Sequence, residues 1–300
     1  MILSIMEPEI AVIGAGPAGV ACTIQLARFG YYPTLFERGE IGGLVRNANC
    51  INNYPGFPNG ITGLKFSKLL QKHIMNYDIK IIKKEVLRIE FENNHFHVHL
   101  KNEVSDFNFL IVSSGTKPIK PDGFSKQQLE LFSYDIVKDI LRKNKKFIIV
   151  GAGDAAFDYA LTLSSANDVI ILNRRKKINA IPELQDKVLN NENIKYYDDT
   201  TLIGVTKEKT SLIVRTQQNG KEPITFICNH IIFAIGREPN LDFLDKSILL
   251  VKDELLLNKR LFIIGDAGSG KFRQISISTG SAIKTAMELH FYLLNSNLEY

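Results

Sequence analysis

Residues 10–23 read IAVIGAGPAGVACT, and residues 147–160 read FIIVGAGDAAFDYA. Each is a short apolar run, a glycine-spaced turn and a stretch of helix-forming residues. In the first, Gly14 permits a tight turn, Gly16 lets the backbone approach a pyrophosphate, and Gly19 allows a helix to pack closely on its strand. The N–H groups that open the helix supply an anion site. A second strand, PTLFE, ends at Glu37, 21 residues beyond Gly16, where a carboxylate is placed to accept hydrogen bonds from an adenosine ribose. The second motif has Gly151 and Gly153, then Asp154, Ala155 and Ala156, and alanine in the third place still permits close packing. Its next strand, DVIILN, ends in Asn173, Arg174, Arg175, Lys176 and Lys177. A guanidinium pairs bidentately with phosphate, so arginines here reverse the preference from a free 2′-hydroxyl to a 2′-phosphate. The first loop therefore suits the adenosine of FAD and the second suits NADPH, with NADH as the alternative nucleotide. A solvated basic turn is the plainer account of Arg174 and Arg175.

The rest of the chain fits around these loops. With 45% hydrophobic and 23% charged residues over 300 positions, the composition is that of a globular protein and not of a disordered chain. The formal charge of +5 is spread thinly, and aromatic residues are not interleaved with the basic ones, so nucleic-acid binding is not expected. Three cysteines without regular spacing point to a reducing compartment, taken as the cytoplasm. No signal peptide is expected in MILSIMEPEIAVIG, and no apolar run reaches the length of a membrane span.

A helix is expected near 64–76, followed by antiparallel strands around 79–90, 95–101 and 107–112. After the second loop the pattern recurs, with strands near 194–197, 201–206, 211–216 and 225–234. A last strand in KRLFIIGDAGSG ends at Gly265 and Asp266, and a helix follows over about 274–294. The repeat of glycine loop, antiparallel patch and returning strand predicts two three-layer dinucleotide-binding units.

Taken together, GAGPAGVACTIQLAR, GGL…NNYPGFPNGITG, GAGDAAFDYALTLS, ILNRRKK, FAIGREPN, IGDAG and FRQISISTGSAIKTA resemble the low-molecular-weight thioredoxin reductases, in family order and over nearly all of the chain. The resemblance implies an FAD domain of residues 1–116 and 242–300, with an NAD(P)H domain of residues 117–241 inserted in it. Lys117–Pro121 and Gly236–Asn240 would be the hinge. It assigns Gly14, Gly16, Gly19 and Glu37 to the FAD pyrophosphate and ribose, and Gly42, Gly43 and Leu44 to a loop over the flavin. Asn53 matches the family asparagine before its aromatic-Pro-Gly segment, and Asp266 the aspartate that holds the ribityl or pyrophosphate portion. Arg273 and Gln274 match an arginine–glutamine pair, with Gln274 near the flavin pyrimidine edge. Gly151, Gly153, Asp154, Ala155 and Ala156 match the nicotinamide-nucleotide loop, and Arg174 and Arg175 the 2′-phosphate clamp. Asn173 and Asn179 depart from the histidine and basic residue usual at their positions. The resemblance also implies a homodimer.

The resemblance breaks where the disulfide-reducing members carry C-x-x-C. Here LFSYDIVKDILRKNKKFIIVGAG contains no cysteine, and an internal redox disulfide needs two. Cys22 and Cys228 read as buried structural thiols. Cys50, in VRNANCINNYPG, is the one catalytic candidate, against a plainer role as a small side chain filling space. The expected activity is transfer of hydride from NADPH to flavin and then of electrons to an external acceptor. The segment also resembles the thioredoxin-reductase-like ferredoxin–NADP reductases, and Lys138, Arg142, Lys143, Lys145 and Lys146 would suit an acidic carrier such as ferredoxin or flavodoxin. The alternatives are an atypical disulfide reductase acting on a thiol protein, and a flavin-binding sensor of low turnover. His95, His97 and His99 share one strand face and read as an ordinary polar surface, with no metal site expected.

Overall fold

The protein, as a computed structural model, is described over residues 8–296. It divides into two compact units. One comprises Met1–Arg46, Asn52–Lys117 and Glu238–Tyr300, and the other Asn47–Ile51 with Pro118–Arg237.

In the first unit five parallel strands lie in the order Leu261–Ile263, Phe109–Val112, Ile10–Ile13, Thr34–Phe36 and Lys80–Ile82. Both faces are covered, so the central strand is buried at every position. Side chains alternate across a strand. Ile10 and Val12 meet Val20, Cys22 and Leu26 of the Pro17–Arg28 helix and Ala282, Ala286 and Leu289 of the Ile275–Ser296 helix. Ala11 and Ile13 meet Phe96, Val98 and Phe107 of a three-stranded antiparallel sheet.

The second unit repeats this plan. Its parallel order is Ile194–Tyr197, Asp168–Leu172, Lys146–Val150, His230–Phe233 and Phe132–Ser133. Phe147 and Ile149 pack on Phe157, Ala160 and Leu163 of the Asp154–Ser164 helix. On the other face Ile148 packs on Leu202, Val205 and Val214 of a second antiparallel sheet.

Four runs read as antiparallel are divided differently. In the 107–112 run, Phe107 ends an antiparallel strand, while Phe109–Val112 joins the parallel sheet. Lys80–Ile82 and Ile194–Tyr197 are edge strands of the parallel sheets. The 225–234 run splits into Ile224–Cys228, antiparallel, and His230–Phe233, parallel. Burial separates the last two: the first alternates between half-buried and exposed positions before Cys228, and the second is buried over Ile231–Phe233.

Candidate functional site

The first loop is held by its own backbone. Gly14 has φ +101°, and a Cβ there would lie 2.6 Å from the Ser113 carbonyl oxygen. A Cβ on Gly19 would collide with the Gly14 carbonyl oxygen, so the helix can approach its strand only without a side chain at this position. Gly16 differs: a Cβ would meet nothing within 4 Å, and the loop faces open space there. The Gly42 amide donates to the Ala15 carbonyl at 2.8 Å. A Cβ on Gly43 would come 3.4 Å from Gly16 Cα, which puts the second glycine pair beside the first loop.

Glu37 follows the Thr34–Phe36 strand and accepts from the amides of Ala15 and Gly39, both at 2.7 Å. A carboxylate offers about four lone-pair positions, so acceptor capacity remains for a ribose. Gly14 and Glu37 line a cleft of about 340 Å³ with Arg38, Lys84, Glu85 and Ser114. Asn53 donates from Nδ2 to Gln274 Oε1 at 2.7 Å, joining two of the expected flavin residues. Leu44 lies in the Gly43–Asn47 turn, and Arg273 is half-buried. Asp266 Oδ1 accepts from Ser278 Oγ at 2.9 Å, while Gly265, at φ +61°, backs onto Ala18. The open space at Gly16, with free acceptor capacity on Glu37, fits a dinucleotide such as FAD.

The second loop repeats the geometry. Gly151 has φ +134° and abuts the Ala234 carbonyl oxygen, while a Cβ on Gly153 would again meet nothing within 4 Å. Ala156 is fully buried where the first unit has Gly19. Asp154 accepts from the Ile181 amide at 2.8 Å and so fixes the start of the next helix, and Ala155 is exposed. A cleft of about 750 Å³ is lined by Gly151, Gly153, Asp154, Ala155, Arg174 and Arg175, with Thr200, Thr201, Tyr134 and Tyr159. Both arginines are exposed. Asn173 explains why they stand where they do: its Oδ1 accepts from the Arg175 amide at 3.1 Å, and its Nδ2 donates to the Lys177 carbonyl and to Tyr196 Oη. Two cations beside an open glycine loop fit a phosphorylated dinucleotide.

The cysteines differ in exposure. Burial pushes the Cys22 and Cys228 thiols up to about 12, which keeps them protonated and inert at neutral pH. Cys50 is exposed, and none of the three forms a disulfide. Cys50 belongs to Asn47–Ile51, which the second unit holds through two side chains. Asn47 Oδ1 accepts from the amides of Ile136 and Val137, both at 3.0 Å. Asp158 accepts from the amides of Asn49, at 2.8 Å, and Cys50. Burial raises the Asp158 carboxyl to about 6 in spite of those two donors. Two of the three strand histidines meet carboxylates, His97 with Asp106 at 2.7 Å and His99 with Glu90 at 2.6 Å. No cluster suited to a metal ion occurs among the described residues.

The sequence profile of the pyridine nucleotide-disulphide oxidoreductases matches residues 8–282. The chain belongs to that family. It is similar to the thioredoxin reductase of Chlamydia pneumoniae, at 24% identity covering 96% of this chain and 99% of that protein. It is also similar to the thioredoxin reductase of Mycoplasma genitalium, at 26% identity covering 94% of each. Its fold matches Lactococcus lactis thioredoxin reductase in the FR conformation, with a TM-score of 0.84 at 22% identity over 96% of this chain and 99% of that one. Bacillithiol disulfide reductase from Bacillus cereus also shares the fold, with a TM-score of 0.74 at 15% identity over 95% and 99%. The two-unit α/β architecture is therefore the thioredoxin reductase fold. The protein is an NADPH-dependent flavoprotein oxidoreductase, and FAD and NADPH are the cofactors of the family.

Tyr134, Phe124, Thr200 and Thr201 also line the second cleft, and the sequence did not single them out. Nor did it identify Ser278 as the partner of Asp266. None carries a local signature, because each reaches its place through strand order and not through spacing along the chain.

Proposed function

We propose that this protein takes reducing equivalents from NADPH and delivers them to a disulfide outside its own chain, carried by a thiol protein of the thioredoxin kind. The observation that carries the reading is the second cleft, where an open glycine loop and two exposed arginines line one space. Residues 1–116 and 242–300 would hold FAD through Gly14, Gly16, Gly19, Glu37, Gly42, Gly43, Leu44, Asn53, Gly265, Asp266, Arg273 and Gln274. Residues 117–241 would hold NADPH through Gly151, Gly153, Asp154, Ala155, Ala156, Arg174 and Arg175. When bound, the two groups supply hydride donation and flavin redox chemistry, which no side chain provides. The chain's own part is to bind and orient: backbone amides at two helix starts face the phosphates, and Arg174 and Arg175 select the phosphorylated ribose.

Overall, one NADPH and one proton convert one disulfide to two thiols. The acceptor disulfide is external because two of the three cysteines are buried and inert, and none forms a disulfide. A second reading, electron transfer to ferredoxin or flavodoxin, is favoured by Lys138, Lys143, Lys145 and Lys146, all exposed in one short segment. We assign the protein to the cytoplasm on its three cysteines, none of which forms a disulfide; no helix among the described residues is long and apolar enough to cross a membrane. A homodimer is supported by the exposed apolar residues Ile277, Ile283, Met287 and Phe291 on the Ile275–Ser296 helix.

Anaerobic titration of the FAD-loaded protein with NADPH, followed by flavin absorbance, tests the reading. One equivalent per flavin is expected to bleach it, and a thioredoxin-type disulfide, added next, is expected to restore the colour. Restoration by oxidised ferredoxin or flavodoxin alone would establish the second reading. A second equivalent with appearance of thiols would show an internal disulfide, and no bleaching would overturn both readings.

A further inference from the structure

The turn that carries Arg174 and Arg175 is tied down from outside its own strand. Asn173, just before it, is 6% exposed and engages its carboxamide in three hydrogen bonds. Oδ1 accepts from the Arg175 amide at 3.1 Å, while Nδ2 donates to the Lys177 carbonyl at 3.0 Å and to Tyr196 Oη at 2.8 Å. The amide facing Oδ1 can only donate and the carbonyl facing Nδ2 can only accept, so the carboxamide has one orientation that satisfies both. The Asn173 backbone is fixed as well. Its amide donates to the Tyr197 carbonyl at 2.9 Å, and its carbonyl accepts from the Thr200 amide at 2.8 Å.

Tyr196 is the far anchor. It lies on the Ile194–Tyr197 edge strand, 23 positions from Asn173, and its ring meets Phe157 edge-on with centroids 6.1 Å apart. Phe157 is fully buried in the Asp154–Ser164 helix, which starts at the second glycine loop. One chain of contacts therefore runs from that helix through Phe157, Tyr196 and Asn173 to the arginine turn. Tyr196 itself does not line the cleft. The two guanidinium groups are exposed, and of the turn's four cations only Lys176 is ion-paired among the described residues, with Asp199 at 3.7 Å.

We infer that Tyr196, acting through Asn173, is a positioning residue for recognition of the 2′-phosphate. The inference rests on the NADPH reading of this cleft. Arginine side chains lose rotamer freedom when they clamp a phosphate, and a turn that also had to be ordered would add its backbone entropy to that cost. Asn173 removes the second cost by holding the Arg175 amide and the Lys177 carbonyl before any ligand arrives. Tyr196 keeps the carboxamide in the orientation that does so. Without the Tyr196 hydroxyl, Nδ2 keeps one of its two acceptors and the carboxamide is freer to turn. The phosphate contact thus gains from order imposed by a residue outside the cleft.

The test is equilibrium binding to the intact FAD-loaded protein of two probes that differ only in the 2′-phosphate, 2′,5′-ADP and 5′-AMP. The readout is the preference for the first over the second, which a loss of stability alone does not change. Tyr196→Phe keeps the ring against Phe157 and removes only the hydroxyl. It is expected to lower the preference about threefold, and Asn173→Ala, which removes all three bonds, about tenfold, each leaving 5′-AMP within about twofold. In an Arg174→Ala/Arg175→Ala background neither substitution is expected to lower the preference further. An unchanged preference in Tyr196→Phe, whether or not Asn173→Ala folds, would overturn the assignment while the nucleotide reading stands. So would an equal loss in the background without the two arginines. Wild-type protein with no preference for 2′,5′-ADP would overturn the 2′-phosphate reading and this inference with it.

Discussion

The two glycine loops are built alike and finished differently. Both begin with a glycine at positive φ against a carbonyl oxygen, Ser113 for Gly14 and Ala234 for Gly151. Both leave the second glycine facing open space. They part company beyond that second glycine. The first loop needs glycine at its third position and ends its next strand in Glu37. The second accepts Ala156 and ends its next strand in Asn173 and two arginines. The helices differ too. Pro17–Arg28 presents Val20, Cys22 and Leu26 to an apolar core, whereas Asp154–Ser164 places a carboxyl, Asp158, under the Asn47–Ile51 segment. One backbone design thus tolerates opposite charges at the end of the next strand and different packing at the helix, because the loop geometry is fixed by the backbone itself.

The contrast is broken most severely at Gly19. Gly19→Ala drives a Cβ into the Gly14 carbonyl oxygen, with Ser113 Oγ also 2.7 Å away. It is expected to cost about 3 kcal/mol or more, seen as a lower denaturation midpoint and loss of the yellow cofactor on purification. A variant of wild-type stability would show that close helix–strand approach is not what the glycine provides.

Asp158 comes next. Its folded value of about 6 lies above the unfolded 3.8. The folded protein therefore keeps a proton that the unfolded chain releases over that interval. The resulting stability is fully present below the unfolded value and is lost as pH rises through about 6. Two units correspond to about 3 kcal/mol, so urea unfolding from pH 4 to 7.5 should show wild type losing roughly that much relative to Asp158→Asn. Parallel pH curves for the two proteins would dismiss it. No equivalent slope is expected from the Pro17–Arg28 helix, which has no acid in its sequence.

Arg174→Ala sharpens the charge side of the contrast. NADPH affinity is expected to fall about tenfold to a hundredfold, with NADH binding unchanged, by competition titration. An equal loss for both nucleotides would place Arg174 away from the 2′-phosphate. The smallest effect is expected from Ala156→Gly, which makes the second loop match the first. It should cost only about 1 kcal/mol, the helix penalty of glycine, with NADPH affinity retained.

Much of this protein was legible along the chain. The glycine loops, the acid and arginine strand ends and the apolar central strands are short-range features, readable from glycine spacing, alternation and charge within a short stretch of chain. The resemblance extended that reading to Asn53, Asp266 and Gln274, and the structure brings Asn53 and Gln274 within hydrogen-bond distance across 221 positions. Strand partnership was less legible: an apolar run such as ITFICNHIIF looks continuous in sequence, yet its two halves enter different sheets.

What sequence determined by itself was the two-loop α/β plan and the sign of charge that ends the strand after each loop. Only the tertiary structure placed Tyr134 in the wall of the cleft, made Asn173 the clamp of the arginine turn, and set Asn47 and Asp158 against partners 89 and 109 positions away. The reason is physical. A turn or a strand is chosen by the few residues that form it, whereas burial of a hydroxyl or a carboxyl depends on which distant elements close over it.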